Sequence, residues 1–285
     1  MNKLLLYSRL VKFEHTIFAM PFAMIGFFMA VMVTDQINFW RLLLAIVLCM
    51  VFARNAAMGF NRYLDRRFDA ANPRTAMREI PAGLVSASRA LGFVVVNALL
   101  FVFVTWMINP LCFALSPVAL FVILGYSYTK RITPLCHFVL SLGLSLAPIG
   151  AWLAVTGEFA LAPLLFSGVV FFWVSGFDII YACQDVDFDQ QYKLKSIPAL
   201  VGVRNALWIS SVVHLFAFLF VVLAGITMKA NWLFWCGAAF FAILMIYQHL
   251  IVKANDLSRV NLAFGTTNGI AGVIFAAFVI GSLYY

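Results

Sequence analysis

The stretch WRLLLAIVLCMVFARNAAMGF, residues 40–60, runs without a break into NRYLDRRFD, residues 61–69. The first part is long enough to cross a hydrocarbon core, which takes about 20 predominantly apolar residues per helix. The second part cannot follow it into lipid, because an ionised side chain at the bilayer centre costs about 3 kcal/mol or more. The stretch reads as a membrane span emerging at an interface rich in carboxylates and guanidinium groups. Eight further apolar runs bring the predicted spans to nine: 16–33, 40–60, 90–108, 111–127, 136–155, 161–182, 205–226, 231–252 and 262–283. Tight turns at Asn109-Pro110 and Thr156-Gly157 contrast with long polar links at 61–89 and 183–204. The expected fold is all-α, a polytopic membrane bundle of nine transmembrane helices.

Composition agrees. Of 285 residues, 65% are hydrophobic and 11% charged, whereas soluble domains sit near roughly half and a quarter. The net charge of +8 does not mark a nucleic-acid partner, because its placement follows topology. With the N-terminus in the cytoplasm, one side collects sixteen of the 19 Lys and Arg residues. Arg41 and Lys229 fall opposite, and Arg54 lies near the end of a span. That bias sets orientation by the positive-inside rule. Nine of the 11 acidic residues share the basic side, although acidic residues contribute little to topology. The cytoplasmic face therefore uses carboxylates for something else. The five cysteines match no zinc spacing and read as free, packed thiols. Lys3, Arg9 and Lys12 precede the first apolar run without a small-residue cleavage site, so that run reads as a retained helix rather than a signal peptide. With no organelle-targeting segment, the expected location is a bacterial inner membrane, active site toward the cytoplasm.

The acidic residues form two matching motifs. Asp65-Arg66-Arg67-Phe68-Asp69 follows the second span, and Asp185-Val186-Asp187-Phe188-Asp189 follows the sixth. Both read Asp-x-x-Phe-Asp and lie 120 residues apart, which hints at an internal repeat. Residues four apart share a helix face. Asn61, Asp65 and Asp69 thus make one stripe of oxygen ligands, and Asp185 and Asp189 a second. Like charges at this spacing repel, and a divalent cation shared with phosphate removes the conflict. Such a donor set suits Mg²⁺, and neither stripe contains the His or Cys of a softer metal site. Asp187 points elsewhere, as a solvated charge would. Nearby Arg74, Arg78 and Lys195 are candidate diphosphate contacts, since Arg and Lys recognise phosphate oxygens. The competing reading is that the carboxylates merely pair with neighbouring arginines.

These motifs resemble those of the UbiA family of intramembrane prenyltransferases. Its Asn-x-x-x-Asp-x-x-x-Asp hallmark after the second span is matched by Asn61, Asp65 and Asp69, and its Asp-x-x-x-Asp after the sixth by Asp185 and Asp189. Asp178-Ile179-Ile180-Tyr181-Ala182-x-Gln184-Asp185, Lys195-Ser196 and Tyr126-x-Tyr128-Thr129-Lys130-Arg131 look like the family pattern too. The resemblance covers residues 1–285 as a single domain. It implies a helical bundle around a central cavity opening sideways into lipid, and a polyprenyl diphosphate held through two Mg²⁺ ions by the metal ligands Asn61, Asp65, Asp69, Asp185 and Asp189. It also adds Tyr181 to the substrate-binding candidates. Within the family the chain looks nearest to the 4-hydroxybenzoate polyprenyltransferases. It departs from them in Arg9-Leu10-Val11-Lys12-Phe13-Glu14-His15, a version similar to a menaquinone-linked subgroup whose acceptor would be a dihydroxynaphthoate.

The expected reaction is transfer of the prenyl group from diphosphate to an aromatic acceptor in quinone biosynthesis. Arg131, Lys130 and Arg54 are candidates to receive the acceptor's carboxylate. Asp178, about two turns before Asp185 and inside the sixth span, is a candidate catalytic residue because an intramembrane carboxylate is expensive. His15, beside Glu14, reads as interfacial, and His137, His214 and His249 show no partner pattern. Asn268 reads as helix packing. A secondary transporter is the rival class, but its binding residues would lie near the midplane on interrupted helices rather than at helix ends.

Overall fold

A computed structural model of the chain describes residues 10–11, 18–35 and 37–285. Lys3, Arg9, Lys12, Glu14 and His15, singled out above, lie outside the described residues. Those described form α1 (Met20–Val31), α2 (Phe39–Ala71), α3 (Ala87–Ile108), α4 (Pro110–Ile132), α5 (Cys136–Thr156), α6 (Leu161–Ala182), α7 (Val186–Gln191), α8 (Ile197–Thr227), α9 (Trp232–Ile251) and α10 (Asn268–Tyr284). A 3-10 turn, Cys183–Asp185, joins α6 to α7, and a π-helical turn, Leu262–Thr267, leads into α10. Eight helical segments are long and apolar enough to cross a membrane, and the shorter apolar α1 makes the ninth element of the bundle. Lipid offers no hydrogen bonds to backbone, so only closed secondary structure can span it. Accordingly, the described residues contain no strand beyond one isolated bridge, Lys253 with Asp256.

Several boundaries differ from the sequence expectation; α4, for one, was expected to end at residue 127 with Tyr128–Arg131 in the following loop, but it continues to Ile132 and carries them on the helix. Helix α2 does not stop at residue 60 but continues to Ala71, so Asn61, Asp65 and Asp69 ride on the same rod as the span. The second motif is not one continuous helix, because the 3-10 turn bends the chain just before Asp189's helix begins. Helix α8 starts eight residues early, at Ile197, with a kink at Gly202, whose φ of 80° only glycine adopts without strain. Side-chain caps mark several starts. Asn38, Ser86, Asn109, Ser196 and Asn231 each accept a backbone N–H of the following turn, satisfying donors that the helix leaves unpaired.

The bundle has a filled half and a hollow half. Helices α1, α6, α8, α9 and α10 close around Phe22, Phe166, Trp173, Phe234, Phe241 and Phe275, all fully buried. Association inside lipid draws on van der Waals packing and interhelical hydrogen bonds more than on hydrophobic transfer. Both are present: Trp173 Nε1 donates to Asn268 Oδ1 at 3.1 Å, Asn55 Nδ2 to Asn97 Oδ1 at 3.0 Å, and Ser210 Oγ to the Gly176 carbonyl at 2.7 Å. His214 and His249, expected to be interfacial or packed, pair at 2.8 Å between α8 and α9. At Gly26 a Cβ would lie 2.1 Å from the Pro148 carbonyl, so glycine is what lets α1 lie against α5. On its other side α5 presents Gly143, Ala147, Gly150, Ala151 and Ala154 toward α2, α3 and α4. Too small to fill the space, they leave an apolar cavity of about 390 Å³.

Candidate active site

A second, polar cavity of about 210 Å³ opens at the end of the bundle where α2, α4 and α6 finish. Five carboxylates line it: Asp65 and Asp69 from α2, Asp178 from α6, and Asp185 and Asp189 from the bent second motif. The two motifs, 120 residues apart in sequence, thus face one chamber. Asn61 Nδ2 donates to Asp65 Oδ2 at 2.9 Å, as expected for residues one turn apart.

Basic residues from other elements answer four of these carboxylates. Arg131 Nη2 donates to Asp65 Oδ1 at 2.7 Å, and the adjacent Lys130 Nζ stands 2.7 Å from Asp189 Oδ1. The end of α4 therefore ties the first motif to the second. The Lys130 contact is a close ion pair with a fully buried carboxylate. Arg78 Nη1 donates to Asp69 Oδ1 at 2.7 Å, and the buried Arg62 stands 4.0 Å from Asp69 Oδ2. Arg74 grips Asp185 with both Nε and Nη2, while its Nη1 donates to the Tyr181 hydroxyl at 2.9 Å. Burial works against the Arg74 cation, but hydrogen bonding to Asp185 and the neighbouring Tyr181 outweigh it and raise its pKa. Asp189, with no solvent exposure, takes a further hydrogen bond at Oδ2 from Ser196 Oγ at 2.9 Å.

Asp178 differs. Its partner among the described residues is His137, whose Nδ1 lies 2.7 Å from Asp178 Oδ2. The sequence around His137 shows no partner pattern, and the residue was expected to be interfacial or packed. It lies on α5, and nothing in a separation of 41 residues signals the contact. Asp187 is exposed, as a solvated charge should be.

Of the other basic candidates, Arg54 lines the apolar cavity and donates to the Val11 carbonyl at 3.5 Å. Lys195 is not brought into the polar chamber: its Nζ donates to the Ile132 carbonyl at 2.9 Å and its backbone N–H to the Lys130 carbonyl at 2.7 Å. It buttresses the end of α4 from outside.

The donor set fits a hard cation shared with phosphate. All candidate ligands are oxygens, and Asp69 Oδ2 is buried without a hydrogen bond, an unusual state for a carboxylate. Among the described residues no three His, Cys, Asp or Glu side chains converge as a ready-made metal cage. Mg²⁺ needs no such cage, since it is usually held by one or two carboxylates, water and substrate phosphates.

The two cavities adjoin. Tyr126 and Leu140 line both, and below them the apolar one follows α4 from Tyr126 to Cys112, roughly 21 Å of helix. The assembly is a charged chamber over a long apolar one.

A model of the UbiA prenyltransferase family matches residues 19–281. The 4-hydroxybenzoate octaprenyltransferase of Aliivibrio salmonicida is 32% identical over 85% of each chain. Among solved structures, the apo form of a UbiA homolog from Aeropyrum pernix K1 superposes with a TM-score of 0.84 at 30% identity, covering 94% of this chain and 98% of that one. A UbiA homolog from Archaeoglobus fulgidus bound to GPP and Mg²⁺ shares the fold, with a TM-score of 0.70 at 19% identity over 98% and 100% of the two chains.

Proposed function

This chain belongs to the UbiA prenyltransferase family, and from that premise we propose that it moves a polyprenyl group from a polyprenyl diphosphate to 4-hydroxybenzoate or a similar phenolic acid, with Mg²⁺ as cofactor. It is an integral membrane prenyltransferase; the donor, acceptor and metal are the proposed part. The observation that carries the reading is a chamber lined by both Asp-x-x-Phe-Asp motifs beside an apolar chamber that shares Tyr126 and Leu140 with it. A diphosphate bearing a long hydrocarbon tail has that polarity.

Asn61, Asp65, Asp69, Asp185 and Asp189 would hold Mg²⁺, which when bound supplies positive charge to the departing diphosphate. These carboxylates are paired with Arg131, Arg78, Arg74 and Lys130. On donor binding the same cations turn to phosphate oxygens, so the chamber exchanges partners rather than burying unpaired charge. The Arg74 fork, fixed by Tyr181, presents two parallel donors to an oxyanion. Tail and ring then lie between apolar walls, where the allylic centre is shielded from water. Arg54, in the wall of the apolar cavity, would receive the acceptor's carboxylate, and Asp178 would act on its ring. Lys195 acts at one remove by holding the Lys130–Ile132 backbone. The Aliivibrio relative's named acceptor supports 4-hydroxybenzoate, and the clustering of Lys and Arg around the polar chamber supports a cytoplasmic orientation in a bacterial inner membrane.

The test is a reaction of purified protein with radiolabelled polyprenyl diphosphate and Mg²⁺, offering 4-hydroxybenzoate or a dihydroxynaphthoate. The reading predicts Mg²⁺-dependent prenylated 4-hydroxybenzoate. Exclusive use of the naphthoate would reassign the acceptor, and no product with either would overturn the proposal.

A further inference from the structure

Prenylation of an aromatic ring must discard a proton, and the polar chamber contains five carboxylates. Four are held in ion pairs with Arg or Lys. Their oxygens are already committed to fixed cations, an arrangement suited to metal and phosphate. The fifth, Asp178, faces an imidazole.

We infer that Asp178 is the proton acceptor for the aromatic substrate and that His137 is the residue that positions it. The inference rests on the prenyl-transfer reading above. Both side chains line the chamber, but the imidazole is 2% exposed and the Asp178 side chain 19%, so the carboxylate is the more open of the two. The backbone N–H of Ile197 points at His137 Nε2 at 3.4 Å. That N–H belongs to the first residue of α8 and has no partner within its own helix. A ring whose Nε2 accepts carries its hydrogen on Nδ1, and from there donates to Asp178 Oδ2. The second Asp178 oxygen, with no partner among the described residues, is left for substrate. Asp178 also lies seven residues before Asp185 on α6 and its 3-10 extension, roughly 10 Å along the axis. It sits below the diphosphate level, where an acceptor ring attacking the first carbon of the tail would be.

The step balances without another reactant. The acceptor's ring carbon bonds to the first prenyl carbon as the carbon–oxygen bond to diphosphate breaks, and the bonding electrons leave with the diphosphate. The hydrogen on that ring carbon then passes as a proton to the free Asp178 oxygen, its bonding pair restores aromaticity, and the proton leaves with the products.

The test compares wild type with Asp178→Asn, His137→Leu and His137→Asn, the last placing an amide N–H near the position of Nδ1. Mg²⁺-dependent binding of the prenyl diphosphate, kcat, the acceptor KM and the isotope effect with acceptor deuterated at the prenylated position are measured for each. Asp178→Asn should lower kcat about 100-fold or more with donor affinity unchanged. His137→Leu should lower it about tenfold or more, and His137→Asn should recover most of that loss. A primary isotope effect should emerge in the slow variants as proton loss becomes limiting. Unchanged kcat in Asp178→Asn, equal damage in both His137 variants, or slow variants without an isotope effect would overturn the assignment while wild-type turnover leaves the transfer reading standing. A wild type that binds donor but prenylates no acceptor would overturn both.

Discussion

Ser196 caps α8 through the Ala199 N–H and at the same time donates to Asp189, a carboxylate with no exposure. One hydroxyl thus couples a helix start to a metal-ligand candidate. Ser196→Ala should cost about 1 kcal/mol through the cap and weaken Mg²⁺-dependent donor binding as well. Thermal unfolding in detergent and donor titration check the two effects, and Ser196→Thr should spare both. Arg74 carries a different prediction. Lysine keeps the charge but cannot grip Asp185 and Tyr181 together, so Arg74→Lys should weaken donor binding about tenfold with the fold intact. A donor titration beside a circular dichroism spectrum decides it. At this scale the sequence was informative where chemistry follows local spacing. Asn61, Asp65 and Asp69 could be placed on one face because they share a helix. The division of Lys130 and Arg131 between two motifs, and the His137–Asp178 contact, arise where α4, α5 and α6 meet, and no local pattern records them.

Helix α5 shows how an element makes room for a substrate. Its small residues Gly143, Ala147, Gly150, Ala151 and Ala154 leave open the space that Phe166 and Trp173 of α6 fill in the other half. Putting a large ring into that wall should shorten the tail the enzyme accepts. Ala151→Phe is expected to lower kcat/KM for a long-chain donor at least about tenfold, in line with steric costs of a few kcal/mol, and to leave geranyl diphosphate nearly unaffected. Equal loss for both donors would move the tail elsewhere. The spans themselves were legible because each needs a long apolar run. Their ends were less so. Helix α2 passes through its charged residues as far as Ala71 because helical backbone tolerates Arg and Asp at a water interface, and it stops only at Asn72-Pro73, where proline disfavours helix in the residue before it. The start of α8 at Ser196-Ile197-Pro198 has the cap and early proline of a helix N-terminus, but hydropathy alone placed it at residue 205.

For the whole molecule, charge asymmetry and site coincide. The polar chamber lies at the end where the basic links gather, and Lys229 lies at the opposite end, in the turn between α8 and α9. Single cysteines in a cysteine-free background, at Met77 (85% exposed) and at Lys229, report the orientation. A membrane-impermeant thiol reagent should label Met77→Cys from the cytoplasmic face alone and Lys229→Cys from the other. The account as a whole depends on two distant motifs acting as one diphosphate clamp. The most direct test is Mg²⁺-dependent binding of a prenyl diphosphate to wild type, Asp65→Asn, Asp185→Asn and the double variant. Groups that act as a unit are strongly non-additive, so each single variant should abolish most of the Mg²⁺-dependent affinity and the double should lose little more. Retained Mg²⁺-dependent binding in either single variant, or losses that simply add, would contradict the shared clamp.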